Sequence, residues 1–189
     1  MKKLLLAASV FALTACSTPS EPQLTLTPQP VIAAQPVVQG KALALDSRDL
    51  RTAQFIAVVD SGRENVQPLH STQNLRITLE QALSRQLASQ GYTITADSQG
   101  TLRLDVLEAM VNVKHSVMSH DLSSKLQLQL VVETPTGKFI KRYSGKSERT
   151  GAMSASVEDM ELAMNNLINA VLKDIYADQE LNKYMQENL

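Results

Sequence analysis

Tryptophan is absent from this chain of 189 residues, cysteine occurs once, and the aromatics together make up 4%. That leaves few rings for stacking on nucleic-acid bases or sugars. One cysteine cannot close an intramolecular disulfide, which excludes a fold held by such a bridge. Charge of one sign is also missing: Lys+Arg 18 against Asp+Glu 19 gives a formal net charge of -1. That balance lacks the basic excess that neutralises phosphates, so no nucleic-acid partner is expected. No apolar run reaches the roughly 18 residues that span a bilayer as a helix. Glycine is sparse, with 7 in the chain, all at or after Gly40 and none in a phosphate-binding cluster. The remaining composition, 43% hydrophobic and 20% charged, is that of one ordinary globular domain.

The single cysteine stands where it has a use. Met1-Lys2-Lys3 is a basic start, Leu4 to Leu13 is apolar, and Leu13-Thr14-Ala15-Cys16 follows. This is the layout of a secretory signal peptide over residues 1–15, with an apolar stretch too short to span a bilayer. The last four residues resemble the bacterial lipobox, which implies that Cys16 becomes the first residue of the mature chain, carrying S-diacylglyceryl and N-acyl groups. One acyl chain binds a bilayer marginally and two or three bind durably, so the protein is expected to be anchored to a membrane without crossing it. Ser17 follows the cysteine where Asp commonly retains such proteins at the inner membrane. By that resemblance the expected location is the outer membrane, facing the periplasm. Removing Lys2 and Lys3 leaves 16 Lys+Arg against 19 Asp+Glu, a formal charge of about -3.

Residues 16–40 hold five of the 7 prolines (Pro19, Pro22, Pro28, Pro30, Pro36) and a lone charge at Glu21. The expectation is a tether with a reach of about 27 Å as a coil and about 75 Å as extended polyproline II. A short edge strand through Val31-Ile32 and Val37-Val38 is the alternative, which the prolines disfavour. The folded domain then spans 41–189. Short strands are expected at 41–46 and 55–59. Leu75, Leu79, Ala82, Leu83 and Leu87 share one helical face, with Asn74, Ser71 or Thr72 as cap and Gly91 as stop. Strands follow at 92–96 and 102–113, the latter changing phase near Val106-Leu107 as a bulge does. Leu126, Leu128, Leu130 and Val132 alternate with polar residues, and Thr134-Pro135-Thr136-Gly137-Lys138 turns the chain into a partner strand, 139–146. Ser156 and Asp159 resemble a capping box before a stripe of Met160, Met164, Leu167, Ile168, Val171, Leu172 and Ile175. The predicted fold class is α+β: an antiparallel sheet with two main helices packed on one face, in the order ββ-α-ββββ-α. Leu181, Tyr184 and Met185 fit a short terminal helix.

Residues able to do chemistry are few. His115 and His120, with Asp121 beside them, form the best polar candidate, although no further ligand completes a metal spacing and exposed loop histidines are the plainer reading. His70 stands alone. Gly-x-Ser-x-Gly and Ser-x-x-Lys motifs are both missing, so neither a catalytic residue, a cofactor site nor a metal site is expected. Asp97, Asp105 and Glu108 can be imagined as a carboxylate pair, but a solvated sheet face accounts for them. Lys138, Arg142 and Lys146 share parity on the predicted hairpin, a candidate partner surface for headgroup or lipopolysaccharide phosphates that also discourages edge pairing. Met160 and Met164 fit core filling better than an adaptable binding face.

Leu79-Glu80-Gln81-Ala82-Leu83, Gln90-Gly91-Tyr92, Tyr143, Gly151-Ala152-Met153 and Leu172-Lys173-Asp174-Ile175, together with the lipobox, resemble the YajG family of bacterial lipoproteins over most of 41–189. The resemblance implies a structural rather than catalytic pattern. It is similar in outline to small lipoproteins that assist envelope machines, an analogy of fold only. The expected role is a non-enzymatic accessory domain, bound to the membrane through its lipid and to an envelope protein or glycan, with oligomeric state open. A small-ligand carrier, or an envelope enzyme using His115, His120 and Asp121, is the alternative.

Overall fold

Alternation of apolar and polar residues dominates the second half of the chain, and it produces three long strands. The computed structural model describes residues 21–62 and 66–189; the expected signal peptide, Cys16 and Ser17 lie outside the described residues. In chain order the elements are β1 (Ala42–Asp49), β2 (Ala57–Asp60), β3 (Val66–Leu69), α1 (Leu75–Gln90), β4 (Thr93–Ile94), β5 (Thr101–His115), β6 (Ser119–Thr134), β7 (Gly137–Ala152), α2 (Val157–Ala177) and α3 (Gln179–Asn188). The expected α+β order therefore holds, extended by β3 and α3. Strand β3 contains Pro68, which sequence reasoning counts against a strand; it is tolerated because β3 is an edge.

The sheet is mixed, and this corrects the expected antiparallel arrangement. β5–β6 and β6–β7 are antiparallel hairpins, but β1 runs parallel to β4 and β5, and β2 runs parallel to β5. The long β5 serves two partners on one edge, β1 along 101–106 and β2 along 111–114. Between them lies the bulge foreseen from the sequence, a register shift between Val106 and Glu108. Arg51 fills the handover: it pairs with Asp49 at 2.8 Å and donates to the Phe55 and Ala109 carbonyls. A parallel partner is reached only through a crossover. The helix α1 supplies one between β1 and β5, a connection no local pattern announces.

Helices α1 and α2 begin as their residues dictate, and α1 ends so. Asn74 accepts from the Ile77 N–H, and Gly91 closes α1 at φ 103, with its N–H bonded to the last-turn carbonyls. Any Cβ there would also overlap the Val38 carbonyl. Ser156 and Asp159 form the reciprocal capping box of α2. Helix α1 packs on β1 and β4, and α2 packs on β5, β6 and β7. The apolar faces of the two helices join Leu102, Leu104, Leu126, Leu128 and Leu130 in one core. Where the helices meet, buried Gln86 of α1 donates to the Leu172 carbonyl of α2 at 3.1 Å.

The described part of the expected tether, residues 21–40, lies on this helix pair instead of standing free. The backbone N–H groups of Thr25, Thr27 and Gln29 donate to Glu161, Asn165 and Asn169 of α2 at 2.5, 2.7 and 2.7 Å. Those of Val31 and Ala33 donate to Gln86 and Ser89 of α1 at 3.2 and 3.0 Å. Odd positions thus supply donors, while Leu24, Leu26 and Pro28 are buried. Two extended residues advance about 6.6 Å and four helical residues about 6 Å, so one donor meets one acceptor every fourth helix position. Pro28 and Pro30 fall between these donors, where no N–H to the helices is required; the even positions Leu24 and Leu26 donate instead to the His70 carbonyl and Gln73. A proline-rich segment is therefore compatible with docking here.

Candidate functional site

The polar residues singled out in the sequence gather at one end of the sheet, at the β5–β6 turn. His115 and His120 face each other as Cα partners, with ring centroids 6.3 Å apart and planes at 70°. Each makes a bond to the chain that leads into α2. A ring nitrogen of His120, Nδ1, lies 3.0 Å from the Met153 carbonyl, and His115 Nε2 accepts from the Ala155 N–H at 3.3 Å. His120 is 8% exposed, unlike the solvated loop histidine expected. Its ring lies over Gly151, where any Cβ would overlap it. Asp121 points elsewhere, accepting from the Thr150 hydroxyl at 2.8 Å. The pair therefore fastens a connection, and His70 lies apart, its carbonyl bonded to the Leu24 N–H.

Around this fastening runs a shallow groove lined by His120, Leu122, Arg149, Thr150, Gly151, Ala152 and Asp159. The Ser156 N–H and hydroxyl hold the Asp159 carboxyl below the usual carboxylate range. Met153 adopts φ 62, a left-handed conformation disfavoured for a side chain with a Cβ. Among the described residues no group of three His, Cys, Asp or Glu side chains converges as a metal site.

The other candidates are dispersed. Asp105 is 1% exposed and lies between Arg48 at 2.9 Å and Arg103 at 3.2 Å, with Gln129 donating at 3.4 Å. Burial raises its carboxyl pKa, but the Arg48 hydrogen bond and the neighbouring guanidinium charges outweigh that and hold it low. Glu108, beyond the bulge, pairs with Lys125 at 2.5 Å, so the two carboxylates serve separate cations. The predicted basic stripe is compensated in part: Lys138 pairs with Glu133 at 2.6 Å and Arg142 donates to Gln129 at 2.9 Å. Lys146 is exposed and faces Lys125 across the strands. Met160, Met164 and Met185 are core residues. Sequence reasoning missed Val117, Met118 and Met153 as a group. The signal was a Ser-Val-Met-Ser turn lacking the usual Asn or Gly.

The fold and this end of it define a class: a single-sheet α+β domain with an N-terminal strap across its helices. The chain belongs to the family described as uncharacterized lipoprotein, whose model matches residues 28–186. It is similar to the uncharacterized lipoprotein YajG of Escherichia coli strain K12, 23% identical over 186 residues, which are 95% of this chain and 94% of the relative. The YajG resemblance read from the residues is thus borne out. Two solved structures share the fold. Protein XCC0632 from Xanthomonas campestris has a TM-score of 0.60 at 13% identity, covering 88% of this chain and 98% of its own. A second, an uncharacterized protein, has a TM-score of 0.52 at 10% identity, covering 82% and 97%. No described helix is long and apolar enough to cross a membrane.

Proposed function

We propose that this chain is a periplasmic accessory protein, anchored by lipid on Cys16 to the outer membrane, whose domain binds an envelope protein or glycan rather than catalysing a reaction. The observation that carries this is membership of a lipoprotein family in a chain whose one cysteine follows Leu13-Thr14-Ala15. The docked strap refines the role. Only residues 17–20 lie between Cys16 and the described chain, which supports a domain that works at the membrane surface and not at the end of a long leash. Anchoring confines it near its partners and raises their effective concentration without demanding high affinity.

Crosslinking in cells followed by mass spectrometry tests the partner. One envelope protein or glycan enriched over an unrelated lipid-anchored control is expected, and enrichment of none counts against the reading. Metabolic labelling with a clickable palmitate tests the anchor: label is expected on the wild type and lost in Cys16→Ser. Density fractionation should place the wild type with outer-membrane markers.

A further inference from the structure

The three most exposed large apolar side chains among the described residues sit together: Val117 at 101%, Met118 at 81% and Met153 at 78%. Val117 and Met118 are the central residues of the β5–β6 turn, closed by the Ser116 N–H on the Ser119 carbonyl at 2.8 Å, and the Met153 N–H donates to the Met118 carbonyl at 2.9 Å. Val66, 60% exposed, lies opposite Asp60, whose β5 partner is Lys114, and so sits at the same end. Turn geometry does not ask for these residues, since Asn, Asp and Gly serve two-residue hairpin loops best. Nor does the core, which they do not enter. Single exposed apolar residues are ordinary, whereas a group on a projecting tip marks a contact surface.

The course of the N-terminal segment identifies what covers that surface. The strap runs parallel to α2, with Thr25, Thr27 and Gln29 meeting Glu161, Asn165 and Asn169 in turn. Traced back from Thr25, it heads toward the N-cap Ser156, three residues after Met153. From Glu21 to Cys16 the chain spans at most about 18 Å. The described chain thus begins at Glu21, five residues after Cys16, and there it points to the end of the molecule that carries the apolar tip.

We propose that Val117, Met118 and Met153 form a second membrane contact, resting in the phospholipid surface that holds the anchor; this builds on the lipid-anchor reading of Cys16. Three apolar side chains bind a bilayer weakly alone, but beside an anchor their local concentration is high. The domain is thereby held upright, with the β6–β7 turn at 134–137 roughly 50 Å away at the far end of the hairpin. Lys114 stands opposite Asp60 on one side and Asp121 on the other, and Arg149 lines the groove with Asp159, so acidic groups offset the cations at the tip and the contact is apolar rather than electrostatic.

The absence of tryptophan makes one added indole a clean probe. Full-length Val117→Trp and Thr136→Trp are purified lipidated and reconstituted into phosphatidylethanolamine–phosphatidylglycerol vesicles, with and without brominated acyl chains. The indole at 117 should be blue-shifted and quenched at least twofold more than that at 136, at low and high salt alike. Equal quenching in protein that floats with the vesicles overturns the second contact while leaving the anchor intact. A blue shift without bromine quenching, in protein that sizes as a dimer or captures another protein, overturns it in favour of that occupant. Flotation no better than that of Cys16→Ser overturns the anchor and the contact built on it.

Discussion

Gly151 lacks a side chain because the His120 ring occupies the space above its Cα, and that ring secures the Met153 carbonyl. Gly151→Ala must push the ring aside, so a loss of about 2 kcal/mol is expected, measured by urea unfolding. Met153 is the opposite case. Its left-handed backbone is strained for any residue with a Cβ, and Met153→Gly should raise stability by about 1 kcal/mol, checked by the same method. Asp178 joins three elements: it accepts from the Tyr143 hydroxyl at 2.7 Å, pairs with Lys141 at 2.8 Å and caps α3. Burial opposes its charge, but the Lys141 and Tyr143 hydrogen bonds prevail and hold its carboxyl low. Burial and the same carboxylate push the Tyr143 hydroxyl far up. A folded value below the unfolded one means that the stabilisation is complete above the unfolded value and is lost as pH falls through the folded one. Stability should therefore decline below about pH 5, and less steeply in Asp178→Asn, which keeps a capping side chain. Unfolding series between pH 3 and 6 check this.

At the scale of elements, local patterns were legible where the physics is local. The Asn74 cap, the Leu75–Leu87 face, the Gly91 stop, the Ser156–Asp159 box and the bulge beyond Val106 all follow from neighbours within a few residues of one another. The β6–β7 hairpin was legible from its turn, but the pairing of the first two strands was not, because β1 and β2 share one edge of β5 and nothing in their own residues names that partner. The strap was misread for a related reason. Its prolines argue for a free chain, and the alternation of Leu24, Leu26 and Pro28 acquires meaning only against Glu161, Asn165 and Asn169, some 140 residues later. Replacing those three residues with Ala should remove about 1 kcal/mol per bond. The amides of Thr25, Thr27 and Gln29 should then exchange far faster while the β5–β6 amides stay protected, as hydrogen exchange by NMR can show.

For the whole molecule the strap is part of the core. A chain beginning at residue 41 uncovers the surface under Leu24 and Leu26, each worth about 2 kcal/mol when buried. It should melt roughly 10 °C below a chain beginning at residue 17, by calorimetry. Sequence by itself determined the composition-level exclusions, the family resemblance, the α+β class and the helix ends, because each rests on residue type or on short periodicity. Tertiary structure alone decided that the sheet is mixed, that the histidines fasten a loop, that a proline-rich segment is bound, and that Val117, Met118 and Met153 meet. Those four outcomes depend on contacts between residues far apart in the chain, and such contacts exist only once the core has closed.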